Sequence, residues 1–80
     1  MNTQQAVVDR IFELCNENNM TWNGLAASAG IPPSTVKNII YGVSQNTGIV
    51  TIKKICDGFG ISLTDFFDTK VFRELEQEIK

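Results

Sequence analysis

Apolar residues recur at intervals of three and four along most of the chain, which predicts a series of amphipathic helices. The predicted helices cover residues 4–18, 22–29, 33–41, 49–59, a short fifth segment around 63–67, and 69–80. This periodicity predicts an all-α fold.

The apolar stripes of these helices define the expected core. The first helix contributes Val7, Val8, Ile11, Phe12, Leu14 and Cys15. The fourth contributes Ile49, Ile52, Ile55, Cys56 and Phe59. The fifth, preceded by a sequence typical of a capping box (Ser62 to Asp65), contributes Leu63, Phe66 and Phe67. Arg10 is expected to pair locally with Glu13 or Glu17.

The stretch Trp22–Tyr41 predicts two short helices joined by a tight corner. Thr21 is the expected N-cap of the first helix, and Gly30 stands where a positive φ would end it. Pro33 suits the first turn of the second helix, where its missing N–H is tolerated. Two helices joined by a glycine-containing corner form the pattern of a helix-turn-helix.

The second of these two helices has two chemically different sides when residues are placed about 100° apart. The aliphatic side comprises Val36, Ile39, Ile40 and Val43. The opposite side comprises Ser34, Lys37, Asn38 and Tyr41. The polar side contains hydrogen-bonding groups and one positive charge but no acid, which suits contact with an anionic partner.

The net charge of −2 and the pI of about 4.9 argue against a nucleic-acid binder when the chain is taken as a whole. The distribution of charge changes this picture. The segment 18–56 contains Lys37, Lys53 and Lys54 but no Asp or Glu. A neutral-to-basic centre between acidic ends fits a domain whose middle contacts a polyanion. Chance clustering in a short chain is the alternative interpretation.

The chain resembles the Cro and phage-repressor-like (XRE) family of DNA-binding domains. The resemblance rests on Leu25, Ala26, Ala29, Gly30, Ile31, Val36 and Ile39, and it continues through GIVTIKKICDGFGISLTDFF. It covers about residues 5 to 68. It implies a five-helix, lambda-repressor-like domain over residues 1–68. The amphipathic helix predicted over 69–80 follows this domain. It also implies sequence-specific binding of double-stranded DNA by a bacterial or phage transcriptional regulator, such as a repressor.

The resemblance places base contacts on Pro33, Ser34, Lys37 and Asn38, at the start of the recognition helix. Their chemistry suits this role. Lysine donates to guanine, asparagine pairs bidentately with adenine, and proline offers apolar surface to a thymine methyl. A merely solvated helix face is the alternative.

The resemblance also implies contacts to the DNA backbone, which set register without reading sequence. The expected residues are Asn23, Thr35, Tyr41, Ser44, Gln45, Asn46, Thr47 and Lys54. Thr47 is the expected N-cap of the fourth helix, and a solvated turn is the alternative for residues 43–48. Lys53 is as well suited to an ion pair with Asp57 as to a phosphate. Trp22 is expected to cover the first helix, with packing on the DNA backbone as the alternative.

The predicted C-terminal helix carries an apolar stripe formed by Val71, Phe72, Leu75 and Ile79. This stripe needs a surface to pack against. A homodimer contact is expected, because helix-turn-helix proteins commonly bind paired half-sites. Folding back onto the chain's own domain is the alternative.

Catalytic and metal-binding chemistry is not expected from this sequence. It has no histidine, no glycine-rich phosphate loop and no nucleophile beside a base. Cys15 and Cys56 are expected to be reduced core residues, so we expect no metal, no cofactor and no small-molecule substrate. Neither a signal peptide nor an apolar run of membrane-spanning length is recognisable, and a cytoplasmic protein without membrane contact is expected.

A second class of function stays open at the level of sequence. The overall acidity and the amphipathic C-terminal segment would also fit a protein-interaction module of the same fold, such as an antitoxin or a docking domain. Selection of a binding site from random DNA separates this class from a DNA-binding regulator.

Overall fold

The computed structural model describes residues 2–79, which form six helices and no strands. The helices are α1 (Thr3–Glu17), α2 (Trp22–Ala29), α3 (Pro33–Ile40), α4 (Ile49–Phe59), α5 (Leu63–Phe67) and α6 (Lys70–Arg73). The all-α prediction is confirmed. The bounds of α2 and α4 agree with the predicted ones at both ends. Helix α1 is shifted by one residue toward the N-terminus, and α3 ends one residue earlier than predicted.

Local capping groups explain why these helices begin and end where they do. The Thr21 hydroxyl accepts a hydrogen bond from the Gly24 N–H at 3.0 Å, and the Ser62 hydroxyl accepts one from the Asp65 N–H at 3.0 Å. Gly30 ends α2 with a φ of 68°, and Gly60 ends α4 with a φ of 74°. Such left-handed residues satisfy the last carbonyl groups of a helix at little cost when they are glycine. The caps predicted at Thr21, Gly30 and Ser62 are therefore confirmed.

The core is one apolar cluster to which each of the first five helices contributes. Its buried members are Val7, Ile11, Leu14, Cys15, Leu25, Ala26, Ala29, Ile31, Val36, Ile39, Ile52, Ile55, Cys56 and Phe66. The closest packing is between α2 and α4. A Cβ added to Gly58 would lie 3.0 Å from the Ala29 backbone nitrogen and 3.2 Å from its Cα, so only glycine lets the two helices approach this closely.

Three residues predicted to face the core are instead exposed to solvent. Val43 is 72% exposed, Ile49 is 59% exposed and Phe12 is 41% exposed. Helix α3 ends at Ile40, and Gly42 then turns the chain with a φ of 78°, so Val43 no longer follows the helical projection. Ile49 is the first residue of α4 and lies at the rim of the core, beside Leu63 and Phe67.

The helix predicted over residues 69–80 is present only from Lys70 to Arg73, and the chain is not helical from 75 to 79. Glu74 and Glu78 would stand one turn apart, and acids near a helix C-terminus oppose its dipole. A helix this short is stable only through tertiary packing. Lys80, the predicted last residue of this helix, lies outside the described residues.

The C-terminal segment folds back onto the domain. The Phe72 ring packs against Phe67, with ring centroids 4.9 Å apart, and lies 6.1 Å from Phe66. Further along, the Thr3 hydroxyl donates to the Glu78 carboxylate at 3.1 Å. The segment therefore returns to the N-terminus of α1, which supports the fold-back interpretation for Phe72.

Arg10 connects α1 to the end of α5. Its Nε donates to the Phe66 carbonyl at 2.8 Å, and a terminal nitrogen donates to the Asp65 carbonyl at 2.9 Å. It also forms the expected ion pair with Glu13. The two carbonyl contacts, which local sequence did not indicate, satisfy acceptors at a helix end, where cations are favourable.

Candidate nucleic-acid interface

The interface candidate is built on α2, α3 and the corner between them. Ala26 and Ala29 of α2 are buried, and α2 packs against both α3 and α4, with Gly58 of α4 next to Ala29. The Ile31 N–H donates to the Ala26 carbonyl at 3.1 Å, and the Ile31 side chain is buried beneath the corner. These local contacts hold α3 in a fixed orientation on the domain.

Helix α3 has one buried side and one exposed side. Val36 is 2% exposed and Ile39 is 3% exposed, so the aliphatic side anchors the helix. The four predicted base-contacting residues, Pro33, Ser34, Lys37 and Asn38, are all exposed. The structure thus presents one apolar surface, one hydroxyl, one ammonium and one amide to solvent on consecutive turns of one helix.

A polar cleft of about 200 Å³ lies between α3 and the N-terminus of α4. The predicted DNA-contacting residues that line it are Thr35, Asn38, Ser44, Asn46 and Thr47. The Ser44 N–H donates to the Asn38 carbonyl at 2.9 Å, which folds the start of the loop against the end of α3. Residues separated by up to twelve positions along the chain are therefore brought to one edge of the domain.

The other predicted backbone-contacting residues lie on different parts of the surface. Tyr41 and Gln45 line a second cleft together with Asp9 of α1. Asn23, in the first turn of α2, and Lys54, in the middle of α4, are both exposed. The structure gathers the loop residues near α3 but leaves Asn23 and Lys54 on separate helices.

Thr47 is not the N-cap of α4 as predicted, because that position is occupied by Gly48. The Thr47 hydroxyl instead accepts a hydrogen bond from the Gln4 amide nitrogen at 2.8 Å, and the Thr47 N–H donates to the Gln4 amide oxygen at 3.1 Å. Gln4 is half-buried near the start of α1. No local pattern could have indicated it, since its partner lies 43 residues away.

Lys53 and Trp22, for each of which the sequence leaves two roles open, both form contacts within the domain. Lys53 pairs with Asp57 one turn later on α4. The Trp22 ring meets Phe12 edge-on, with centroids 4.8 Å apart. These contacts favour the ion-pair interpretation for Lys53 and the packing interpretation for Trp22.

Cys15 and Cys56 are both buried and free. Burial raises the pKa of each thiol, because it disfavours the charged thiolate. Both are therefore protonated at neutral pH and behave as small core residues. Within residues 2–79, no three Cys, Asp or Glu side chains come together as a metal site.

A pair of packed helices joined by a left-handed glycine, with the exposed side of the second rich in hydrogen-bonding groups, defines the helix-turn-helix class. The Helix-turn-helix family of XRE type matches residues 11–66 of the chain, and the chain belongs to this family. The family consists of DNA-binding regulatory domains of the phage-repressor kind and is not an enzyme family.

The chain is also similar to a solved prophage structure. Prophage Lp1 protein 11 is 38% identical in sequence and superposes with a TM-score of 0.80 over 94% of this chain and 100% of its own. No curated protein matches the chain. In the part of the chain that the structure describes, no helix is both long enough and apolar enough to cross a bilayer.

Proposed function

We propose that this protein binds double-stranded DNA sequence-specifically by inserting α3 into the major groove, and that it acts as a transcriptional repressor. The observation that carries the proposal is the division of α3 into a buried aliphatic side and an exposed, acid-free side within a helix-turn-helix domain. Residues 1–68 form the DNA-binding domain. Similarity to a prophage protein favours a regulator of phage type.

Each exposed residue of α3 has a distinct role in this proposal. Asn38 pairs through its amide with adenine N6 and N7, and Lys37 donates to guanine O6 and N7. Ser34 hydrogen-bonds to either kind of base edge, and Pro33 packs against a thymine methyl. These groups lie on the exposed side of α3 within its first six residues, the part of a recognition helix that reads bases in helix-turn-helix proteins.

Contacts to the DNA backbone come from the edge of the domain next to α3. The cleft residues Ser44, Asn46 and Thr47 supply uncharged donors, and Tyr41 supplies an exposed phenol. The N-terminus of α4 follows directly and has no side-chain cap, so its first N–H groups are available to a phosphate. Such contacts would fix the register of α3 in the groove.

Selection of binding sites from random DNA at low salt tests the proposal. Enrichment of one motif is the expected result. Absence of enrichment would reject DNA reading by α3 and would favour the protein-interaction module, for which an antitoxin or docking role is the alternative. The selection is run at low salt because phosphate contacts weaken steeply as the salt concentration rises, so salt screening would not explain a missing motif.

Replacing Lys54 by alanine is expected to weaken binding to all sequences alike. If Lys54 contacts a phosphate, the slope of log affinity against log salt should become shallower by about 0.9, since one counterion fewer is released. Titrations across a salt series measure this slope. Lys70→Ala makes the same change of charge on α6 and should leave the slope as it is; equal slopes for parent and Lys54→Ala would remove Lys54 from the interface.

We also propose that two copies bind paired half-sites. The candidate dimer contacts are Val71, Phe72, Leu75 and Ile79 of the C-terminal segment, residues 69–80. Val71 and Ile79 are exposed and accessible to a second copy, whereas Phe72 and Leu75 are half-buried against the chain's own domain. Since the segment is helical only to Arg73, Val71 and Ile79 do not share one helical stripe.

A further inference from the structure

Gln4 joins two parts of the molecule that are far apart in sequence: the first turn of α1 and the loop between α3 and α4. Its amide oxygen accepts from the Thr47 N–H at 3.1 Å, and its amide nitrogen donates to the Thr47 hydroxyl at 2.8 Å. The same nitrogen lies 3.4 Å from the Ser44 carbonyl. One side chain thus contacts the loop at two points and uses both ends of its amide.

The orientation of the amide follows from its partners. The Thr47 N–H can only donate, so the Gln4 oxygen must face it, and the nitrogen then faces the hydroxyl and the carbonyl. All of these atoms are partly buried, where competition from water is reduced and hydrogen bonds are stronger. The partners therefore permit only one of the two orientations of the Gln4 amide group.

Gln4 is itself held on a rigid support. The Asn2 side chain accepts from the Gln5 N–H at 2.8 Å, and the Gln5 side chain accepts from the Asn2 N–H at 3.2 Å, which completes a capping box. Ala6 and Val7, which follow immediately, are buried in the core. The first turn of α1 is fixed by these contacts and can act as an anchor for the loop.

The contact also determines which hydrogen-bonding group Thr47 presents. A hydroxyl carries one hydrogen and two acceptor positions. In its bond with Gln4, the Thr47 oxygen is the acceptor and the Gln4 amide nitrogen is the donor. The hydrogen of the Thr47 hydroxyl is not used in that bond, so it can be donated to another acceptor. Thr47 lines the cleft beside Asn38 and Asn46, so a phosphate oxygen at that edge would meet a donor.

We infer that Gln4 is a positioning residue for DNA binding: it holds the loop 44–47 in the form that contacts the DNA backbone and orients the Thr47 hydroxyl as a donor. This role rests on the proposed function. Ordering the loop before DNA arrives reduces the entropy lost on binding. Since backbone contacts carry no sequence information, Gln4 contributes to affinity and not to base preference.

The test is the variant Gln4→Met, which keeps the length of the side chain and removes its hydrogen bonds. Affinity is expected to fall about fivefold to tenfold, as for the loss of one net hydrogen bond. The fall should be the same for the selected motif and for unrelated DNA. Gln5→Met is the matched control, because it makes the same change one residue along, keeps the Asn2 cap on the Gln5 N–H and removes only the exposed bond from the Asn2 N–H. It should bind as the parent does.

Amide hydrogen exchange in the DNA-free protein provides a second readout. Exchange of the Thr47 N–H should become faster in Gln4→Met and stay unchanged in Gln5→Met, while the amide of the buried Ile55 stays protected in both. Protection of Ile55 shows that the variant is folded, so a loss of affinity then comes from the loop.

Three results would overturn the inference. Unchanged Thr47 exchange in Gln4→Met would show that Gln4 does not hold the loop. Faster exchange with parental affinity would show that holding it does not matter for DNA. A changed base preference would place Gln4 in sequence reading instead. Failure of the parent itself to bind any DNA would reject the proposed function, and this role with it, whereas each of the three results above rejects only the positioning role of Gln4.

Discussion

Asn38→Ala is expected to weaken binding to the selected DNA motif by about 1–3 kcal/mol and to relax the preference at one base pair. The Asn38 side chain is exposed on α3, and its amide can pair with adenine through two hydrogen bonds at once. Alanine removes both bonds and leaves the adenine edge without a partner. Titration against the motif and its single-base variants measures the effect.

The companion variant Lys37→Ala should lose a similar amount at a different base pair, where guanine is expected. Lys37 lies next to Asn38 on the same exposed side of α3, so the two losses report on neighbouring bases. Asn16→Ala removes an exposed amide from α1 and serves as the matched control. If both α3 variants bound the motif as tightly as the parent, α3 would not be the recognition helix.

Phe66→Ala is expected to cause the largest loss of stability in the domain, about 3–5 kcal/mol. Phe66 is 0% exposed, stands first by residue volume among the fully buried side chains, and packs against Phe67 with ring centroids 4.9 Å apart. A domain of this size has a free energy of unfolding of about 4–12 kcal/mol, so the substitution should remove a large part of that free energy. Urea unfolding followed by circular dichroism measures the change.

The half-buried neighbours of Phe66 provide the comparison. Phe67→Ala and Phe72→Ala leave smaller cavities, because part of each ring already contacts water, and should each cost less than Phe66→Ala. A Phe66→Ala midpoint within error of the parent would mean that Phe66 does not occupy the core position assigned to it.

Features controlled by neighbouring residues could be read from the sequence. The helix-turn-helix was predicted with the correct bounds for α2, because Thr21 and Gly30 act within one turn of the residues they cap. The division of α3 into two sides followed from helical periodicity, and burial of Val36 and Ile39 confirms it. Which residues contact DNA stays a prediction that rests on this exposed side.

Features controlled by residues distant along the chain could not be read in the same way. The hydrogen bonds from Gln4 to Thr47 and from Arg10 to the end of α5 join residues 43 and 56 positions apart, and no local periodicity encodes them. Helical spacing was also misleading beyond the C-terminal ends of α3 and α6. It placed Val43 in the core and extended the last helix to residue 80.

The sequence by itself determined the first five helices, the caps at Thr21, Gly30 and Ser62 and the two sides of α3, because these depend on interactions within a few residues. Only the tertiary structure decided how the loop after α3 is held, where the rim of the core lies, and that the C-terminal segment returns to α1. In each of these cases the stabilising contact joins residues that only folding brings together. Its free energy arises between helices, so the spacing of apolar residues along the chain does not indicate it.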